Sequence, residues 1–174
     1  MQIYEVLKRD HDILKNHLEK LLALDEEDDN GREVLVKQVR DILIPHVRAE
    51  ESVFYNSLRA FDLAKDKAMH SYREHMEAET LLRMLQIRDT FDTEWKEAAR
   101  KLKSSIESHI AEEETEMFTL ARGLFTDQEA EMMAVSFERL KPEIKEEGII
   151  GTTWDMVTNL MPPRFKEKFH EQRH

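Results

Sequence analysis

Arg9-Asp10-His11 recurs in the second half of the chain as Arg73-Glu74-His75, and His46-x-x-x-Glu50-Glu51 recurs at almost the same offset as His109-x-x-x-Glu113-Glu114. The interval from His11 to His46 is nearly that from His75 to His109. A chain with these intervals uses one helical hairpin twice. On an α-helix a Glu four residues after a His is rotated by about 40° and displaced by about 6 Å, so both side chains share one face. Two such hairpins related by a pseudo-twofold would bring four histidines and two glutamates to one level of a core.

Each of those histidines sits in an apolar stripe of helical period. His11 falls among Tyr4, Leu7, Leu14, Leu18 and Leu21; His46 follows Val39, Ile42 and Leu43; His75 falls among Tyr72, Ala78, Leu82 and Leu85; His109 falls among Leu102, Ile106, Met117 and Leu120. The stripes predict helices over about 3–24, 33–58, 63–91 and 93–123, with the acidic run Asp25 to Gly31 ending the first. Pro45 falls inside the second, where it either aims His46 or sits at a surface-side bend. The expected fold is all-α: an up-down-up-down four-helix bundle over residues 1–124. Residues 125–174 form a helical extension packed on the bundle. A capping box at Thr126-Asp127-Gln128-Glu129 starts its first helix, which Pro142 should end. Gly148 and Gly151 should break the chain before a short amphipathic piece around Trp154, and the residues from Arg164 should be loosely held.

Composition narrows the chemistry. The net charge of −11 argues against non-specific binding to nucleic acid or to an anionic membrane surface, and no apolar run is long enough to span a bilayer. A soluble, cytoplasmic protein is expected. The chain has no cysteine, which excludes disulfides, thiolate zinc and iron–sulfur ligation and leaves His, Asp and Glu to hold a metal.

A Glu four residues after a His occurs at His46, His70, His75 and His109, where so Glu-rich a chain with eight histidines would show about one by chance. The duplication selects His11, His46, Glu50, His75, His109 and Glu113. Six ionisable groups at one depth of an apolar core are costly to bury without a counter-charge, and a pair of cations supplies it. Four imidazoles and two bridging carboxylates give eight donor atoms, four for each of two metals. Mixed nitrogen and oxygen donors with open positions suit non-haem iron first, manganese next and a zinc pair third. A ferritin-like site is set aside because it uses Glu-x-x-His, the reverse order at a different spacing.

These motifs resemble the hemerythrin-like, or His-His-Glu cation-binding, domains. The match lies in a His early in the first helix, His-x-x-x-Glu-Glu in the second, Glu-His in the third and His-x-x-x-Glu-Glu in the fourth. The resemblance implies two iron ions, oxo- or hydroxo-bridged, held by His11, His46, His75 and His109 with Glu50 and Glu113 as bridges. It also implies a non-haem di-iron protein meeting dioxygen, nitric oxide or a related small ligand, in sensing, detoxification or iron homeostasis. Iron storage, delivery or iron-centre repair is the alternative. A metal-stabilised interaction module, meeting a protein partner or a second copy through the C-terminal extension, is a third. The chain departs from oxygen-carrying hemerythrins in lacking a fifth histidine: four residues after His75 stands Glu79, which matches Lys15 in the first copy. Glu79 is therefore read as a surface or supporting residue before a ligand. Glu51 and Glu114 either face solvent or orient a histidine on a neighbouring helix. His17 and His70 lie off the ligand face, with Glu74 as a solvated partner of His70. Tyr72 either fills the core or donates a hydrogen bond near His75.

Overall fold

The computed structural model describes residues 1–25, 28–88, 92–151 and 161–165. Among these the regular elements are all helical, with no strand. They are α1 (Ile3–Leu22), α2 (Asp29–Glu50), α3 (Asn56–Leu58), α4 (Asp62–Ile87), α5 (Thr93–Glu112), α6 (Phe118–Leu124) and α7 (Asp127–Gly151). Among the described residues no helix is long and apolar enough to cross a membrane.

A π turn, Glu51–Tyr55, joins α2 to α3, and a second, Glu113–Met117, joins α5 to α6. The residues after them, Asn56 and Phe118, keep helical dihedrals and donate their N–H to the carbonyls of Glu51 and Glu113, five residues back. Each set of segments therefore runs on as one rod with a widened turn in it. π turns of this kind are rare and concentrate at functional sites. Each widened turn is buttressed alike: Ser52 Oγ donates to the Arg48 carbonyl and Thr115 Oγ1 to the Ala111 carbonyl, both at 2.7 Å. Such back-bonding onto the preceding turn bends helices.

Local chemistry sets the helix starts. Asp28 accepts from the Gly31 N–H at 2.8 Å, and Asp92 accepts from the Trp95 N–H at 2.8 Å. Thr126 and Glu129 form the expected capping box of α7, with the Thr126 N–H donating to Glu129 at 2.8 Å and the Glu129 N–H to Thr126 Oγ1 at 3.2 Å. Gly31 accordingly lies inside the first turn of α2 and does not terminate a turn, because the cap falls at Asp28.

α1 packs against α2 and α5, and α4 against α2 and α5. Two apolar clusters result. One gathers Leu14, Leu18, Val39, Leu43, Leu82, Trp95, Leu102 and Ile106; the other gathers Ile3, Leu7, Val53, Phe54, Leu58, Phe118 and much of α7. The repeated histidines and glutamates fall between them, since Leu7 belongs to one cluster and Leu14 to the other, with His11 in the middle.

α7 lies along α1 and α2. It does not stop at Pro142 but runs on through Gly148 to Gly151. Phe137, Leu140 and Ile144 are buried on both sides of the proline, whose own ring is exposed, so packing outweighs the lost backbone bond. Pro45 is buried, which removes the surface-bend reading. Phe165 is likewise held: it is 1% exposed and stacks edge-on with Phe61 and Phe125 at ring separations of 6.2 and 5.6 Å. The amphipathic piece around Trp154, with Phe169, His170 and His174, lies outside the described residues.

Candidate metal centre

His11 projects from α1, His46 and Glu50 from the end of α2, His75 from the middle of α4, and His109 from the end of α5, with Glu113 opening the π turn that follows. All six are buried, Glu50 to 0% and Glu113 to 1% exposure. Donor atoms of His11, His46 and Glu50 lie within 4.8 Å of one another, and so do those of Glu50, His75 and His109. Glu50 is common to both triads. Its Oε2 stands 3.7 Å from His46 Nε2 and 3.3 Å from His75 Nε2. Glu113 joins through His11, whose Nε2 is 3.2 Å from Glu113 Oε2, and His75 Nε2 is 3.1 Å from His109 Nε2. The four imidazoles thus turn their Nε2 atoms toward one another.

Their Nδ1 atoms all face outward onto carboxylates. Glu114 accepts from His11 at 3.0 Å, Asp10 from His46 at 3.4 Å, Glu51 from His75 at 3.1 Å and Glu74 from His109 at 2.8 Å. A carboxylate at Nδ1 places the proton there and leaves the Nε2 lone pair pointing inward, the tautomer a metal needs. Each carboxylate is a chain neighbour of one central residue and serves a histidine on another helix. Glu51 and Glu114 are therefore the orienting groups of the two readings open for them. Glu74 also stands 3.4 Å from His70 Nε2, so the solvated pair expected there is only half of its role.

The inner atoms are short of partners. His11 Nε2, both oxygens of Glu50 and Glu113 Oε2 are buried without a hydrogen bond. Burial, reinforced by the Glu113 charge, raises the Glu50 pKa well above the ordinary carboxylate range. Burial also works against a charged His11, but Glu113 and Glu114 outweigh it and lift its pKa to about 10. His46, which burial dominates, is lowered to about 4. Unpaired buried groups of this kind carry a desolvation cost that a cation among them offsets. The donor set fits one: imidazole nitrogens and carboxylate oxygens converge, and a cation would take the place of the protons that His11 and Glu50 hold without it.

Several neighbours were not legible as site residues. Asp10 and Glu74 could have been found, since an acid precedes the histidine in both copies. Tyr55 could not: fully buried, it donates its hydroxyl to Glu113 Oε1 at 2.7 Å, while the matching position in the second copy is Phe118. Tyr72 instead donates to the Glu51 carbonyl at 3.1 Å and to Asn56 at 2.9 Å. Glu79 is held by Arg48 at 2.7 Å, outside both triads. His17 bonds to the Ile13 carbonyl of its own helix at 2.8 Å. Beside the histidines lies a small cavity whose apolar lining includes Leu14, Leu43, Ala78, Ile106 and Ile110.

An all-helical chain whose buried His/Glu groups converge in two triads has the features of a helical cation-binding protein. Sequence comparison gives the same class a family: the sequence model of the hemerythrin HHE cation binding domain matches residues 2–121, and the chain belongs to that family. It is also 26% identical over 149 residues to a protein from Nostoc sp. described as a DNA nickase. That match takes in 84% of this chain and 41% of the nickase, so the chain spans about two fifths of this relative's length. No solved structure matches the chain.

Proposed function

We propose that the chain is a di-iron protein that binds or reacts with dioxygen or nitric oxide. In this reading residues 1–124 form an up-down-up-down four-helix bundle and residues 125–174 an extension packed on it. His11 and His46 would hold one iron and His75 and His109 the other, with Glu50 and Glu113 as the carboxylates the two sets share. The observation that carries the reading is the paired arrangement of the imidazoles: four Nε2 atoms face one another while four carboxylates hold the Nδ1 atoms. Iron suits mixed nitrogen and oxygen donors and supplies, when bound, redox change and affinity for diatomic ligands.

The protein's own part is positional. Asp10, Glu51, Glu74 and Glu114 fix the ring planes and the tautomers. Tyr55 pins one oxygen of Glu113, whereas Glu50, with no such donor, is the carboxylate free to change its pose. The two apolar clusters above and below exclude bulk water, and the small apolar cavity suits an uncharged diatomic guest. The DNA-directed activity in the nickase's name is not carried over, because a chain of net charge −11 repels a phosphate backbone.

Anaerobic reconstitution with ferrous iron, followed by iron analysis and visible spectra before and after adding nitric oxide or oxygen, tests the proposal. Two irons per chain and a spectral change on adding gas are expected. Fewer than one iron per chain, or two zinc ions held with no response to either gas, would sink it.

A further inference from the structure

The two copies of the hairpin differ on their outer faces. Asp10, which orients His46, is 6% exposed, and Lys141 of α7 sits on it at 2.6 Å. The neighbouring positions in that copy, Val6 and Ala49, are buried and offer no donor. At the corresponding places in the other copy stand Glu74, His70 and Glu112. Here the face is open: the His70 side chain is 48% exposed and that of Glu112 40%. His70 Nε2 stands 3.4 Å from Glu74 Oε1 and 3.8 Å from Glu112 Oε2, and the three donors lie within 4.8 Å of one another.

Glu74 faces both ways. One oxygen belongs to this exterior group and the other accepts from Nδ1 of the buried His109 at 2.8 Å. The second copy carries a histidine and a glutamate where the first carries a valine and an alanine, on the half that α7 leaves uncovered. On the covered half the matching carboxylate is held by an ammonium group, which repels a cation. On the open half Lys67, one turn before His70, is engaged by Glu116.

We propose that His70, Glu74 and Glu112 form a surface landing site for a divalent transition-metal cation, from which the ion passes along Glu74 to the buried centre at His109. One imidazole and two carboxylates are a donor set for first-row divalent ions. Three donors on an open face leave the remaining positions to water, so the ion is held loosely enough to move on. The inference rests on the two-metal reading above.

The test uses cobalt(II) added anaerobically to metal-free full-length protein, with filling of the buried centre followed by visible absorbance. His70→Ala/Glu112→Gln should still bind two cobalt ions per chain at equilibrium but fill roughly tenfold more slowly, the lower end of what local fields add to association rates. Glu112→Lys should fill more slowly than Glu112→Gln. An unchanged filling rate in the double variant, with two cobalt ions bound, overturns the landing site and leaves the two-metal reading standing. Failure of the unaltered protein to take up buried cobalt overturns that reading and the inference with it.

Discussion

The half of the centre built by His11 and His46 is closed by α7, while the half built by His75 and His109 reaches the surface at His70. Phe137 lies edge-on to His46 at 5.5 Å between ring centroids, and Lys141 rests on Asp10. On the open half the ring beside His75 is Tyr55, at 5.5 Å, with its hydroxyl on Glu113; beside His11 the matching ring is Phe118, stacked at 6.5 Å. The duplication has kept the inward-facing atoms alike and let their surroundings diverge. Two chemically equal sets of donors have become two positions of unequal access and unequal polarity.

Five substitutions would break or sharpen that contrast. The largest loss is expected from His109→Ala. Metal per chain should fall below two, and the stabilisation that the ion at His75 and His109 gives, about 4 kcal/mol at a thousandfold excess over its dissociation constant, should largely disappear. Melting with and without added cobalt(II) measures it, and a metal-dependent rise equal to that of the unaltered protein would count against His109 as a ligand. Phe137→Ala should lower stability by about 3–5 kcal/mol in urea unfolding, since the ring is fully buried against His46. A cost under about 1 kcal/mol would mean that α7 does not close that half.

Asp10→Asn and Glu74→Gln should each weaken metal binding by roughly 10–100-fold, the usual effect of removing a carboxylate behind a ligand histidine. Titration of the metal-free variants should show the loss on different ions in the two cases. Equal loss on both ions would erase the distinction between the halves. His17→Ala should change stability by less than about 0.5 kcal/mol and leave metal content alone, because among the described residues its ring bonds to its own helix, at the Ile13 carbonyl. A drop in metal there would mean that the ligand set has been drawn too narrowly.

The apolar stripes made the long helices legible, and the matching offsets between the two copies made the six central residues legible as one set. Their orienting carboxylates were half visible. Glu51 and Glu114 are conspicuous beside the central glutamates, while Asp10 and Glu74 show in the sequence only as the residue before a repeated histidine. The contribution of α7 was hidden for a different reason. Phe137 and Lys141 lie outside the repeat, and their meaning depends on which helix they land on. Local rules also misjudged Pro142, where burial of Phe137, Leu140 and Ile144 holds the helix together across a residue that ordinarily ends one. The π turns had a weak trace in the sequence, the hydroxyl residues Ser52 and Thr115, at equal distance from Glu50 and Glu113.

Those widened turns bear on how such a chain can be recombined. One residue more in a helical turn rotates everything beyond it by about 100°. The rod that carries Glu50 therefore obeys one phase before Glu51 and another after Tyr55, and the second rod changes phase at Glu113–Met117. A hybrid spliced from this chain and one lacking the extra residue would keep its ligands and still turn Leu58 or Phe118 away from the core. Junctions belong outside both turns, so that each rod is exchanged with its change of phase intact.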